Sequence, residues 1–270
     1  MDYPKKPGVL RDVRLEIDAG EILGLVGQSG SGKSTLALAL MGLLPLRGAK
    51  LRGEVLFEGA DLAQMTGSQL RSVLGRRMSI VLQSPLTALN PALSVGSQIQ
   101  EAWRAHANGS PKECMQAVRS ALQSVSLDAS DDFLRRKPAQ LSVGQGQRVM
   151  IAMAILHRPA LLIADEATSA LDTITQSEIL RLFARLNREM GMAILYISHD
   201  LLSVAALCHR IAILRDGAIV ECDATRSIFE SPRHEYTRQL VAALPALPFR
   251  KDTPQDTGSR PEPGVLEHSF

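Results

Sequence analysis

Three short runs of the chain are almost entirely apolar: ILGLV at 22–26, ALLIADE beginning at 160, and AILYIS at 193–198. Runs of this length and composition suit strands covered on both faces, as in a parallel sheet. DVRLEI (12–17), EVLFEG (54–59) and MSIVLQ (78–83) alternate more, and predict half-buried strands. Between the strands the period lengthens, predicting helices over 33–43, over 173–190 with Gly191 as the stop, and over 200–208. From about Val95 to Leu134 only helical spacing is found, in SQIQEAWRAHA, KECMQAVRSALQSV and DDFLRR. That middle reads as a helical lobe, about 88–145, inserted into an α/β core with a largely parallel sheet. After residue 245 apolar positions thin out and Pro254, Pro261 and Pro263 follow, which predicts a disordered tail over 246–270 behind a single domain at 1–245.

Composition narrows the function classes. With 45% hydrophobic and 21% charged residues, the 270-residue chain is an ordinary globular protein. A net charge of +2, with only one Trp and three Tyr, argues against a nucleic-acid partner, and Arg135-Arg136-Lys137 reads as a solvated helix end. Cys114, Cys208 and Cys222 form no C-x-x-C pair and read as reduced thiols. His199 and His209 lack zinc-site spacing. The start, MDYPKKPG, has no apolar core of a signal peptide, and the apolar run VMIAMAIL stops at His157-Arg158-Pro159, well short of the ~20 residues of a membrane span.

Chemistry enters at GLVGQSGSGKSTL (24–36), where Gly27, Gly32, Lys33 and Ser34 fit G-x-x-x-x-G-K-[ST] between a predicted strand and a predicted helix. Glycines at 27, 30 and 32 let the backbone bring its N–H groups to phosphate oxygens, and the following helix points its positive end at the same anion. Lys33 is placed to reach the β- and γ-phosphates and the Ser34 hydroxyl to ligate Mg²⁺. LLIADE (161–166) delivers two carboxylates at a strand end: Asp165 for Mg²⁺, usually through a water, and Glu166 to polarise the water that attacks the γ-phosphate. Hydrophobic residues followed by Asp-Glu are more often a plain surface strand end, a lone Gln83 is more often a solvated loop residue, and a strand-terminal His199 is more often structural. All four residues, however, end predicted strands, where open parallel sheets bind ligands.

The stretch LSVGQGQR (141–148), between the helical lobe and LLIADE, resembles the signature of the ATP-binding subunits of ABC transporters. The matches follow the family's order: GQSGSGKST, Gln83, LSVGQGQR, LLIADE, SALD at 169–172, and His199, covering about residues 3–245. The resemblance implies a P-loop NTPase fold of the ABC ATPase type, with a mostly parallel sheet, an antiparallel β part and a helical lobe. It implies ATP and Mg²⁺ as cofactors and hydrolysis coupled to transport. Gly27, Gln28, Ser29, Gly30, Ser31, Gly32, Lys33, Ser34 and Thr35 would hold ATP, with Tyr3 stacking on adenine. Ser34, Gln83 and Asp165 would surround Mg²⁺, and Glu166, His199 and Gln83 would act in catalysis. Two such domains would face head to tail, so that Ser142, Val143, Gly144 and Gln145 of one cap the ATP of the other.

The same resemblance implies two integral membrane permease subunits as partners, a second ATPase subunit in a heterodimer or homodimer, and, indirectly, an extracytoplasmic solute-binding protein. The chain would then sit peripherally on the cytoplasmic face of the membrane. SPLTALNP after Gln83 and the ending IFESPRHEYTRQLVAALP look like the dipeptide, oligopeptide and nickel importer branch. The alternative is a soluble ABC-type ATPase of a non-transport complex, such as one that cleaves phosphonates. The chain departs from the family pattern at Val143, where the first signature glycine is usual, and at Gly146, Ala167 and Glu235. It also has Tyr3 almost at its first residue, where relatives carry a preceding strand.

Overall fold

A computed structural model describes residues 8–44, 48 and 52–245. Tyr3 and the tail expected over 246–270 lie outside the described residues. The chain builds a six-stranded sheet in which β1 (Ile22–Val26) is flanked by β6 (Ala193–Ser198) and β7 (Arg210–Arg215). Beyond β6 come β5 (Leu161–Asp165) and β4 (Met78–Val81), and beyond β7 comes β8 (Ala218–Ala224). All neighbouring pairs are parallel except β7 and β8. A separate antiparallel pair joins β2 (Leu56–Phe57) to β3 (Ala60–Asp61).

The apolar runs become central strands because both faces of the sheet are covered. Ile22, Val26, Ile194, Tyr196, Ile211 and Ile213 belong to one buried cluster, and Leu23, Leu25, Leu195, Ile197, Ala212 and Leu214 to another. Successive residues of one strand therefore serve different cores, the period-2 rule of a pleated strand. The second cluster takes Leu36 and Ala37 of α1 (Lys33–Leu40). The first extends without a break into the helical lobe, through Val95 and Ile99 of α4 (Val95–Arg104), Val118 and Leu122 of α5 (Pro111–Ser124) and Phe133 of α6 (Asp131–Arg135). The lobe is thus anchored by the same apolar mass as one face of the sheet.

Helix boundaries follow local chemistry. Ser94, Ser110 and Ser130 cap α4, α5 and α6 with side-chain oxygens, and Glu113 completes a capping box at α5, where Pro111 fills the first turn. Asp172 caps α8 (Thr173–Met190), which stops at Gly191 with φ 65°, as its sequence predicts. Before β4 lies α2 (Gly67–Val73), and after it α3 (Pro85–Ala88). Further on come α7 (Val143–Ile155), α9 (Leu201–Leu207), α10 (Thr225–Glu230) and α11 (Glu235–Ala242). No helix among the described residues is long and apolar enough to cross a membrane.

Three expectations need correction. DVRLEI is not a strand: Val13, Leu15 and Ile17 do turn one side to the second core, but the segment pairs with no other strand among the described residues. Alternation there records one-sided burial without a ladder. EVLFEG shrinks to the two paired residues of β2. MSIVLQ stops as a strand at Val81, so Gln83 lies two residues past the strand end.

Candidate active site

β1 ends at the middle of the sheet, and the chain turns through residues 27–32 into α1. Gly32 is the N-cap of α1 at φ 109°, a conformation that a Cβ would strain, and no side chain caps the helix. Its first-turn amides are therefore left without a side-chain acceptor, the arrangement that suits an anionic ligand. Gly27 is needed for a different reason: a Cβ there would stand 2.3 Å from the Leu214 carbonyl oxygen and 2.7 Å from Ser31 Oγ. Ser31 Oγ is buried and has no hydrogen-bond partner. Gln28, Ser29 and Gly30 form the exposed rim of the loop, and Thr35 lies half-buried in the first turn of α1.

Lys33 is 5% exposed, and its ammonium donates to the carbonyls of Gly27 (2.8 Å) and Gln28 (3.1 Å). Burial pushes its pKa down, and Glu166 and Asp165 push it back up. A desolvated ammonium held by two neutral carbonyls interacts strongly with any phosphate that enters the loop.

The carboxylates come from the end of β5. Asp165 Oδ1 accepts a hydrogen bond from Ser34 Oγ at 3.3 Å. Burial pushes the Asp165 carboxyl up, the Ser34 hydrogen bond and Lys33 lower it, and Glu166 raises it further. A partly buried carboxylate beside a serine hydroxyl is a hard-oxygen pair of the type Mg²⁺ takes when phosphate and water complete its shell. The donor set thus fits Mg²⁺.

Glu166 lies between two further groups. Its Oε1 is 3.9 Å from Lys33 Nζ, and its Oε2 is 3.5 Å from Nδ1 of His199, the residue after β6. Its backbone stands at φ 48°, in the left-handed region that a β-carbon disfavours. Main-chain bonds hold it there: the Glu166 N–H donates to Ile197 of β6 at 2.9 Å, and its carbonyl accepts from Ser169 Oγ at 3.0 Å. Next to it, buried Thr168 shares a hydrogen bond with the Tyr196 hydroxyl at 2.8 Å, fixing this turn to β6.

The structure therefore brings Lys33, Ser34, Asp165, Glu166 and His199 into one chain of contacts, and leaves Gln83 apart. Gln83 is exposed and its side chain makes no hydrogen bond to any described residue. The stretch 141–148 opens α7. The Ser142 side chain accepts from the Gln145 N–H at 3.2 Å, and Gln145 Oε1 accepts from the Ser142 N–H at 3.1 Å. Val143 is the first helical residue, with its side chain 37% exposed. A Cβ on Gly144 would meet Thr175 of α8 at 2.8 Å. None of these four residues bonds to the phosphate loop of its own chain.

Two residues beside them carry a contact that sequence reasoning missed. The Gln147 amide donates to the Leu82 carbonyl at 3.4 Å, and a Cβ on Gly146 would stand 3.3 Å from Pro85. The start of α7 is thus packed on the segment that holds Gln83. Gly146, noticed only as a departure from the family pattern, was the available signal.

The family profile described as ABC transporter matches residues 10–169. The glutathione import ATP-binding protein GsiA of Escherichia coli K12 is 41% identical over 253 residues, covering 92% of this chain and 41% of that protein. GsiA of Salmonella choleraesuis is 43% identical over 244 residues, covering 88% of this chain and 39% of its own length. The chain thus spans about two fifths of the length of these curated relatives. Among solved structures, the dimeric post-hydrolysis state of the ATP-binding cassette MJ0796 bound to ADP and Pi matches with TM-score 0.71 and 30% identity, over 81% of this chain and 91% of that one. Clostridium perfringens cbiO1, part of the ABC transporter complex cbiONQ, matches with TM-score 0.74 and 26% identity, over 91% and 92%.

Proposed function

This chain belongs to the ABC transporter family, and from that premise we propose that it is the ATP-hydrolysing subunit of a membrane importer. The observation that carries the reading is the position of Glu166 between Lys33 and His199, at the end of the strand that also presents Asp165 to Ser34. The phosphate loop takes the β- and γ-phosphates through its backbone amides and Lys33. Ser34 and Asp165 would hold Mg²⁺, which when bound would supply positive charge to offset that on the phosphate oxygens. Glu166 accepts a proton from the attacking water, the oxygen–phosphorus bond to the γ-phosphoryl group forms, and the bond to the ADP oxygen breaks. His199 fixes the Glu166 carboxylate and contributes a donor toward the γ-phosphate. Gln83, exposed and outside this chain of contacts, would add a side-chain amide oxygen as a further ligand for the ion.

The exposed start of α7, which makes no hydrogen bond to its own phosphate loop, is read as the cap for nucleotide held by a second cassette, identical or not. Closure of that pair would drive two separate permease subunits, with the chain peripheral on the cytoplasmic face. The cargo class we favour is small peptides or nickel. Identity of 41% to a glutathione import ATP-binding protein supports the peptide end of that range. Two measurements test the reading. Glu166→Gln should still bind ATP and lose roughly 10²–10³-fold in turnover; turnover at the normal rate would remove Glu166 from the base role. Purification of the tagged chain from detergent-extracted membranes should bring down two multi-span proteins; recovery with soluble enzymes alone would replace the importer reading.

A further inference from the structure

Away from the proposed nucleotide site, three arginines converge without acidic partners. Arg71 lies in the last turn of α2, Arg76 in the turn leading into β4, and Arg104 in the last turn of α4. With Ser72, His106 and Asn108 they line an open cavity of ≈ 410 Å³ that no carboxylate borders. Arg71 and Arg76 form no ion pair with a described residue, and Arg104 donates only to the neutral amide oxygen of Gln100, at 3.0 Å. Several arginines elsewhere are matched: Arg77 with Glu58, Arg119 with Asp131, Arg148 with Glu178 and Arg210 with Glu21. Arg71, Arg76 and Arg104, which lack such partners among the described residues, share one concavity.

The wall behind them is built rather than loose. The His106 ring lies so close to Gly75, at φ 79°, that a Cβ there would stand 2.6 Å from Nε2. It also packs edge-on against His157, with centroids 5.4 Å apart. Burial, then His157, then Arg76 hold the His106 pKa down.

We propose that this cavity binds a phosphate-bearing anion, whose oxygens are taken by the guanidinium groups of Arg71, Arg76 and Arg104. Guanidinium forks match phosphate geometry with paired hydrogen bonds. Ser72 and Asn108 add neutral donors, and the volume is that of a small-ligand site. The phosphate can come from a soluble ester or from the headgroup of an acidic phospholipid. The proposal stands on this cavity alone and does not depend on the ATPase reading.

The test uses the full chain with saturating ADP and Mg²⁺, so that the phosphate loop is occupied. Glycerol 3-phosphate is titrated while the emission of Trp103, the single tryptophan and the neighbour of Arg104, is followed. In parallel, co-sedimentation is measured with phosphatidylcholine vesicles with and without phosphatidylglycerol. A saturable Trp103 response identifies a soluble ester, and sedimentation only with the acidic vesicles identifies a headgroup. In either case the Arg71→Gln/Arg104→Gln double variant should bind at least about tenfold more weakly, the size of effect expected from losing charge-assisted hydrogen bonds. Both side chains are exposed, so the variant should keep the melting temperature of the parent. Binding of neither probe, or equal binding by parent and variant, would overturn the proposal.

Discussion

At the start of α1 the N-cap is Gly32, with no side-chain hydrogen bond, whereas α7 starts at Ser142, which is locked into a capping box with Gln145. Both are helix N-termini with the same partial positive charge. The first is embedded among groups of its own chain: Lys33 inside the loop, Asp165 against Ser34, Glu166 beyond. At the second, Ser142 is exposed and its side chain bonds only within the capping box. Ser142 is nevertheless not spent, because its oxygen accepts from Gln145 while its hydroxyl proton donates to no described residue. One terminus is thus surrounded by charged groups of its own chain, and the other presents a hydroxyl with no acceptor among the described residues.

The comparison breaks most easily at its inner half. Lys33→Ala removes the buried ammonium and should abolish measurable ATP binding in an equilibrium titration; retained binding would mean that the loop amides suffice. His199→Ala leaves the loop intact but frees Glu166 on one side, and should lower turnover roughly tenfold to hundredfold with little change in ATP affinity. Normal turnover would separate His199 from the chemistry.

The outer half should respond less. Val143 occupies the first helical position with its side chain toward solvent and the capping box undisturbed, so the β-branched residue distorts nothing in its own chain. Val143→Gly should therefore change steady-state ATPase by less than about threefold, allowing for the modest helix penalty of glycine. A larger rise would show that the valine obstructs the approach of a second cassette.

The smallest effect concerns stability. The Asp165 carboxyl is pushed up chiefly by burial, so its charged form costs stability once pH rises through its folded pKa. Asp165→Asn should raise the melting temperature of the nucleotide-free protein by roughly 2 °C at neutral pH. The gain should fade as pH drops below the carboxylate range, where Asp165 is itself neutral. Equal gains at pH 4 and pH 8 would contradict burial as the cause.

The central strands were legible because doubly covered strands have only one plausible composition, and Gly27 to Thr35 because the phosphate loop needs its residues in a fixed order. DVRLEI failed because alternation reports which side is buried, not whether a neighbouring strand supplies hydrogen bonds. Gln83 fell outside the contact chain because its strand ends at Val81, a boundary set by pairing with β5 rather than by any residue of its own. The packing of Gly146 on Pro85 and of Gln147 on Leu82 joins positions more than sixty apart in sequence. The small residue at 146 hints at close packing there, but no local pattern says against what.

Glu166 holds a backbone conformation that an L-residue adopts at a cost of order 1 kcal/mol. Folding alone would favour glycine or asparagine at this position, and on the proposed reading the role of the carboxylate as base is what keeps glutamate there. A duplicated copy of the gene, released from selection for activity but not for folding, should lose this glutamate early. Its descendants would keep the sheet, both cores and the helical lobe. Such a protein would still look like a cassette, and the identity of a single residue at a strand end would tell an engine from its relic.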